Sequence, residues 1–282
     1  MFKTILLGTD GSPGADTAAR YAVWLAAKLH ARLTALHVTD IRILEGPLLA
    51  DIAGALGAQP YPALLARVKE FQTERATTIL SSAAKTCNKQ HVTCETVHQI
   101  GSLIQTLLEY EQRADLVVLG QRGEHAQWHA EMLGSSVERM VRASSKPCLV
   151  VPETYQTPKN ILIAHDGSAE SSKALHLGLN LADAFETGVT LVTACQSEEE
   201  DTAAKILQDA HHLAQTRGIK SHAQLINDNA ENAILHVAGK MAADMIVMGA
   251  YGHTRIREWI IGSTTSHVLR KARIPVLLAR GL

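Results

Sequence analysis

Several features that mark membrane, secreted or nucleic-acid-binding proteins are missing from this sequence. The formal net charge is -1, with 27 basic and 28 acidic residues, so no basic field is available to attract nucleic acid. No apolar run is long enough to cross a bilayer, and no basic segment leads into an apolar one as in a signal peptide. We therefore expect no nucleic-acid partner, no membrane contact and a cytoplasmic location.

Cysteine is also scarce, and its spacing excludes the common cysteine-based frameworks. The sequence has four cysteines and no CxxC pair, and Cys148 lies inside an apolar segment. We expect reduced, mostly buried thiols rather than a disulfide framework or a zinc site. The four are Cys87, Cys94, Cys148 and Cys195.

What is present is an internal repeat that covers most of the 282 residues. Three segments of the first half return in the same order in the second half, which chance rarely produces. The matched pairs are 3–12 with 159–168, 114–120 with 243–249, and 146–151 with 274–279. We predict two tandem domains, residues 1–153 and 159–282. The polar join between Pro152 and Pro158 spans at most roughly 20 Å, so the halves must lie side by side.

Each half alternates short apolar segments with longer segments of helical periodicity. In the helix predicted at 14–30, for example, Ala18, Tyr21, Ala22 and Leu25 recur at helical spacing. Continuous Val, Ile and Leu strands between amphipathic helices are typical of a parallel sheet covered on both faces. We therefore predict an α/β fold of two tandem doubly wound domains, each a five-stranded parallel sheet with helices on both faces. The predicted strands are 3–9, 32–39, 92–98, 115–120 and 147–152, then 160–165, 188–194, 220–226, 244–249 and 275–280; the first-half helices are 14–30, 62–89, 102–111 and 135–144.

A glycine-rich loop follows the fourth predicted strand of the second half. Gly249 ends the strand, Gly252 follows, and after nine further residues Gly262 precedes two hydroxyl residues, Ser263 and Thr264. Glycine lets the backbone approach a ligand closely, and free amides and hydroxyls at a helix N-terminus suit a phosphate. Because GxxxxGK[ST] and GxGxxG are absent, an ordinary P-loop NTPase or Rossmann dehydrogenase lacks its signature. We infer nucleotide binding through this loop.

An aspartate ends the first predicted strand of each half, Asp10 in the first and Asp166 in the second. In such sheets, ligands bind beyond the carboxyl ends of the strands, where the strand order reverses. If the first and fourth strands are neighbours there, the carboxylate and the glycine loop face one crevice. The carboxylate can then accept hydrogen bonds from a ribose hydroxyl or a base edge. The alternative is that both aspartates only cap helices.

With these residues the sequence resembles the universal stress protein family in its tandem two-domain form. The resemblance covers nearly the whole chain, and the second half fits the pattern G-x2-G-x9-G-[ST] of the ATP-binding members. It implies that the loop amides, with Ser263 and Thr264, hold the phosphates and ribose of ATP, ADP or AMP, with or without magnesium. It also implies that Asp166 and the end of the second strand, around Ala194, frame the adenine and ribose.

The loop has no obvious lysine for the phosphates. His253, Arg255 and Arg257 are candidates for positive charge, and the alternative is that they form a solvated loop face. We include Met248, at the end of the strand, and His253 among the predicted cofactor-binding residues. We predict no metal site.

The first half departs from the pattern at its glycine loop. Ten residues, rather than nine, separate Gly123 from Gly134, which Ser135 and Ser136 follow. The extra residue is either absorbed as a bulge or misplaces the amides, so nucleotide binding by this half stays open. The other matching pocket positions are Asp10, Val38 and Gly120.

The last strand of each half is apolar and suited to the edge of a sheet, where unpaired backbone invites another strand. The resemblance implies that such strands pair across a dimer, and a tandem chain can pair them within itself. A homodimer of the tandem unit stays open. The segment 41–62, which has no counterpart in the second half, is either a loop with a short helix packed over the sheet edge, or a lid or partner surface.

Three functions remain open at this point. The first is regulatory: an adenine nucleotide orders the glycine loop and biases a surface for an unknown protein partner in a stress response. The second is a slow ATPase or phosphotransferase, for which no dedicated base stands out. The third is an interaction scaffold whose pockets are empty.

Overall fold

The computed structural model describes residues 1–42, 61–124, 133–250 and 262–280. These residues place ten strands in one continuous sheet with helices on both faces. Most of the segment 41–62, with its two predicted alternatives, lies outside the described residues. No helix within the described ranges is long and apolar enough to span a membrane.

The two halves have the same order of elements. In the first half the strands are β1 Thr4–Gly8, β2 Arg32–Asp40, β3 Cys94–Gly101, β4 Leu116–Gly120 and β5 Cys148–Val151, and the helices are α1 Pro13–Leu29, α2 Tyr61–Lys89, α3 Leu103–Glu111 and α4 Ser135–Ala143. In the second half the strands are β6 Asn160–Ala164, β7 Gly188–Cys195, β8 Ser221–Asn227, β9 Met245–Gly249 and β10 Val276–Ala279, and the helices are α5 Ala169–Phe185, α6 Glu200–Thr216, α7 Ala230–Lys240 and α8 Ser263–Lys271.

The strand whose bounds differ most from the sequence prediction is β3. It was expected at 92–98 and instead runs from Cys94 to Gly101. Its last residues stay paired in register with the end of β2, where Gly101 lies opposite Asp40. Backbone hydrogen bonds therefore continue past the point where the apolar pattern stops, and they set this end of the strand.

The sheet confirms the predicted doubly wound α/β fold. Its strand order is β3-β2-β1-β4-β5-β10-β9-β6-β7-β8, and all neighbours are parallel except β5 and β10. These two last strands pair antiparallel, with Val150 opposite Val276 and Cys148 opposite Leu278. The predicted pairing of the halves through their last strands is therefore confirmed, and it joins two five-stranded sheets into one.

Two apolar layers cover the sheet, one on each face, and each runs through both halves. Because successive residues of a strand point to opposite faces, Leu6 of β1 lies in one layer and Leu7 in the other. The same alternation separates Leu162 from Ile163 in β6. The two halves therefore share a core instead of touching only at their edges.

Each half also caps the last helix of the other half. Gln121, directly after β4, donates its side-chain amide to the carbonyl of Leu269 near the end of α8. Arg280, directly after β10, donates from one guanidinium nitrogen to the carbonyls of Val141 (2.8 Å) and Arg142 (3.0 Å) near the end of α4. The last carbonyls of a helix lack intrahelical partners and carry partial negative charge. These two side chains therefore stabilise the junction.

The segment that connects the halves is packed against both of them. Thr17 of α1 donates its hydroxyl to the Glu153 carbonyl at 2.7 Å, and the Tyr21 hydroxyl donates to the Gln156 carbonyl at 2.9 Å. On the other side, the Gln156 side-chain amide donates to the carboxylate of Asp244. The halves lie side by side, as the short join predicts.

Candidate functional site

A cavity of about 150 Å³ opens at the carboxyl ends of β6, β7 and β9 in the second half. Strands β6 and β9 are neighbours, with Ile163 opposite Val247, and the strand order reverses between them. The hypothesis that the first and fourth strands of a half meet at the switch point is therefore confirmed. Ligands of doubly wound sheets bind at this place.

Seven of the residues predicted from the sequence line this cavity. They are Asp166, Ala194, Met248, Gly249, Gly262, Ser263 and Thr264. Two other predicted residues, Gly252 and His253, lie outside the described residues, as do Arg255 and Arg257. The cavity thus unites the ends of three strands with the start of α8.

Asp166 lines the cavity and also holds the turn after β6. Its Oδ1 accepts a hydrogen bond from the Ser168 N–H at 3.0 Å, across Gly167, which adopts φ +79°. The N-cap of α5 is Ser168, whose Oγ accepts from the Ser171 N–H at 3.2 Å. The helix-capping role, offered as the alternative for Asp166, therefore belongs to Ser168.

The sequence analysis missed a buried pair that lines the same cavity, His165 and Ser171. The His165 Nδ1 and the Ser171 Oγ lie 3.0 Å apart, and the Asp166 N–H donates to the same Oγ at 3.2 Å. Burial lowers the pKa of His165, while Ser171 and the Asp166 carboxylate act in the opposite direction. Burial therefore favours the neutral form of the ring. Its only sequence signal is its place directly before Asp166, since the first half has Thr9 there.

The inner wall of the cavity is apolar and contains several small side chains. Ala164, Ala194 and Ala230 come from β6, β7 and α7, and the larger Val192 and Ile234 lie beside them. Such a wall accepts a flat aromatic group, because the small side chains leave space and the larger ones supply contact. Sequence reasoning missed Val192, although its spacing of two from Ala194 on one strand face could have indicated it.

The polar end of the cavity is the N-terminus of α8. Gly262 is the N-cap, no side chain caps the helix, and its first turn carries no acidic residue. Among the described atoms, a Cβ added to Gly262 would come within 4 Å of Thr265 Oγ1 alone, at 3.8 Å. The first N–H groups of a helix lack intrahelical acceptors and attract anions. The backbone N–H groups at this end of the cavity therefore suit a phosphate, while the Thr264 hydroxyl donates to the Glu231 carboxylate at 3.1 Å.

The model of the universal stress protein family matches residues 1–152 and again residues 157–280. The chain belongs to the universal stress protein family. It carries the family's domain twice, in tandem. It is similar to universal stress protein Slr1230 from Synechocystis sp., with 34% identity over 99% of this chain and 100% of the relative.

Solved universal stress proteins share the fold. One from Archaeoglobus fulgidus covers 99% of this chain and 99% of its own, with a TM-score of 0.78 and 18% identity. Another, solved in complex with cAMP, covers 45% of this chain with a TM-score of 0.40 and 22% identity. So limited an overlap assigns no ligand to this tandem universal stress protein.

In the first half of this universal stress protein, the matching aspartate is held by the glycine loop. Asp10 accepts from the Ser12 N–H through Oδ1 and from the Glu124 N–H through Oδ2, both at 3.0 Å. A Cβ added to Gly123 would lie 2.7 Å from the same Oδ2. The structure therefore brings Asp10 and Gly123 together. The loop contacts the carboxylate directly, whereas the sequence analysis expected both to face one crevice.

Larger apolar side chains stand at the first-half positions that match the wall of the cavity. Val38 on β2 corresponds to Ala194 on β7, because Leu36 and Val192 hold the same register against β1 and β6. Leu103 begins α3, whereas Ala230 begins α7. Both first-half side chains pack against the apolar layer on that face of the sheet.

The remaining first-half predictions fall on the ends of β4 and α4. A Cβ added to Gly120 would lie 2.7 Å from the backbone of α1. Gly134 is the N-cap of α4 and donates its N–H to the Gln121 carbonyl at 3.1 Å, while Ser135 and Ser136 open the helix. The last helix of each half thus begins in the same way, with a glycine at the N-cap followed by hydroxyl residues.

Proposed function

We propose that the second half binds ATP, ADP or AMP in the cavity at the end of β6 and β9. The observation that carries the proposal is the union, in one cavity, of an apolar wall, the Asp166 side chain and the open N-terminus of α8. A nucleotide has a matching order of groups: a flat base, a hydroxylated sugar and an anionic phosphate chain. The family membership of the chain is consistent with this assignment.

Each part of the cavity then has a role toward the nucleotide. The alanines of β6, β7 and α7 contact the base, and Asp166 accepts hydrogen bonds from the ribose hydroxyls. The first N–H groups of α8 and the backbone at Gly262 receive the phosphates. Among its described lining residues the cavity has no lysine or arginine, so a magnesium ion bound with the nucleotide would supply balancing charge.

The proposed role is regulatory, in a stress response. Occupancy of the cavity biases a surface that a protein partner recognises. A ligand can shift such an equilibrium only by its difference in affinity for the two states.

Slow ATP hydrolysis is the second candidate, and one observation favours it. Burial favours the neutral form of His165, which lines the cavity beside Ser171, so its ring can accept a proton. Hydrolysis would also need a positioned water and stabilisation of charge on the phosphates.

Calorimetric titration of nucleotide-stripped protein tests the proposal. We expect ATP, ADP or AMP, each with and without magnesium, to saturate one site per chain. Absence of binding at several temperatures would instead support the empty scaffold. Steady release of phosphate in a parallel assay would move the assignment from regulation to hydrolysis.

A further inference from the structure

Two cysteines of the first half meet at the turn between α2 and β3. Cys87 lies in the last turns of α2, and Cys94 is the first residue of β3. The turn folds back tightly, because the Val92 N–H donates to the Cys87 carbonyl at 3.1 Å and His91 adopts φ 55°. Cys87 belongs to the apolar layer on this face, and Cys94 packs against that layer.

The environments of the two thiols differ in a way that suits redox chemistry. The two thiols lie close enough to affect each other's pKa, and Cys87 is fully buried whereas Cys94 is only partly buried. The interaction with Cys87 lowers the pKa of Cys94, while that interaction and burial raise the pKa of Cys87. By contrast, burial raises the pKa of Cys148 to about 12, and burial also raises the pKa of Cys195.

We propose that Cys87 and Cys94 are a redox-active dithiol that a hydroperoxide converts to a reversible intramolecular disulfide. The Cys94 thiolate attacks one peroxide oxygen, the O–O bond breaks, and the leaving oxygen takes a proton, which leaves Cys94 as a sulfenic acid. The Cys87 sulfur then attacks the Cys94 sulfur. The S–O bond breaks, the S–S bond forms, and hydroxide leaves with the Cys87 proton as water. Two electrons pass from the thiols to the peroxide, and a dithiol reductant reverses the change.

The second half contains the same turn without the thiols. Its Ile219 N–H donates to the Ala214 carbonyl at 3.1 Å, and Gly218 adopts φ +72°. Ser221 begins β8 at the position of Cys94, and its buried Oγ has no hydrogen-bond partner. The fold therefore does not need cysteine at either position, and Ala214 with Ser221 provides a natural template for a control variant.

The test uses the full-length, fully reduced protein. After treatment with hydrogen peroxide and alkylation of the remaining thiols, we expect two of the four thiols to be lost. Peptide mapping should find Cys87 joined to Cys94, and dithiothreitol should restore both. The proposal is wrong if both residues are alkylated after peroxide, or if either is joined to Cys148, to Cys195 or to a second chain.

Two variants distinguish oxidation of the Cys87–Cys94 pair from unspecific oxidation of the thiols. Cys87→Ala removes the thiol that attacks the Cys94 sulfenic acid. Oxidation of Cys94 should therefore stop at the sulfenic acid, which dimedone traps. The double variant Cys87→Ala/Cys94→Ser copies the second half, so it should fold with an unchanged circular dichroism spectrum and lose no thiol. Loss of thiols in the double variant at the rate of the native protein would overturn the proposal. So would a Cys87→Ala variant that gives dimedone no adduct at Cys94.

Discussion

The two halves share a fold and a glycine pattern, and the cavity described above lies in the second half. In the second half Asp166 lines the cavity beside the alanine wall. In the first half both oxygens of Asp10 accept backbone hydrogen bonds, one of them from the loop itself. Val38 and Leu103 stand where the second half has alanines. Under the proposed function, the comparison predicts that the glycine pattern makes a nucleotide site only where the neighbouring side chains leave room for the base.

A second difference concerns a histidine near the end of the first two strands of each half, which is His37 in the first half and His165 in the second. In the first half His37 Nδ1 donates to the Thr9 carbonyl at 2.8 Å, and in the second half Thr193 Oγ1 donates to the His165 carbonyl at the same distance. The residue types have exchanged positions while the bond between the strands is kept. The exchange moves the imidazole from the β2–β3 side, where His37 lies near His98, to the wall of the cavity.

The largest expected effect comes from placing a carboxylate at the start of each last helix. Gly262→Asp should weaken nucleotide binding by more than about 100-fold, because Gly262 lines the cavity and a negative charge there would face the phosphates. Gly134→Asp is the matched control: it sits at the N-cap of α4, where aspartate is favoured, and should leave binding unchanged. Calorimetry measures both, and unchanged affinity in Gly262→Asp would contradict the assigned site.

The next comparison exchanges the wall residues. Ala230→Leu gives the second half the residue that begins α3, and overpacking of the cavity should weaken nucleotide binding roughly 10- to 100-fold. The reciprocal Leu103→Ala should not create a second site, because the loop still holds Asp10. A second site per chain in Leu103→Ala would show that side-chain volume alone separates the halves.

The two aspartates should respond differently to removal of their charge. Asp166→Asn should weaken nucleotide binding about tenfold, through loss of a charged acceptor for the ribose. Asp10→Asn should leave binding unchanged and lower the free energy of unfolding by about 1–2 kcal/mol, because one charge-assisted backbone hydrogen bond is lost. Urea unfolding and calorimetry on both variants separate the roles, and the reverse pattern would exchange the assignments of the two halves.

The smallest effect is a dependence of stability on pH. Burial lowers the pKa of His165 below its ordinary value of 6.5, and burial together with His37 lowers that of His98. The unfolded chain therefore binds protons first as the pH falls, and stability should decrease from about pH 6.5 down through each lowered pKa. Urea unfolding at pH 7.5 and pH 5.5 should show this decrease, and His165→Gln and His98→Gln should each make it smaller. If stability decreases by the same amount in both variants as in the native protein, the pH dependence comes from other groups.

Much of the fold followed from residues that are close together in the sequence. The apolar run that ends at Gly249 and the glycine with two hydroxyls at Gly262 predicted a strand and a helix start, and the structure has both. The pairing of the last strands also followed, since the repeat leaves one such apolar strand in each half. The cavity wall was harder, because Ala164 comes from β6 while Ala230 and Ile234 come from α7, and only the folded chain brings the two elements together.

His165 shows why the rest could not be predicted. Its neighbour Asp166 stood out as the end of a strand, but the side chain of His165 joins the site only because Ser171, one turn into α5, lies 3.0 Å from its ring. The engagement of Asp10 by the Glu124 N–H depends likewise on a contact across more than a hundred positions of the chain. Neither contact leaves a periodic signal.

The sequence by itself determined the repeat, the alternation of strands and helices, the strand ends that carry aspartate and glycine, and the family. These are local properties, because hydrophobic period and backbone freedom depend on residues near one another in the chain. Only the tertiary structure decided that the glycine loop of the first half holds Asp10, and that a cavity opens at the ends of β6, β7 and β9. Those outcomes depend on the volumes and hydrogen bonds of side chains brought together from distant segments, and packing that close is sensitive to a single side chain.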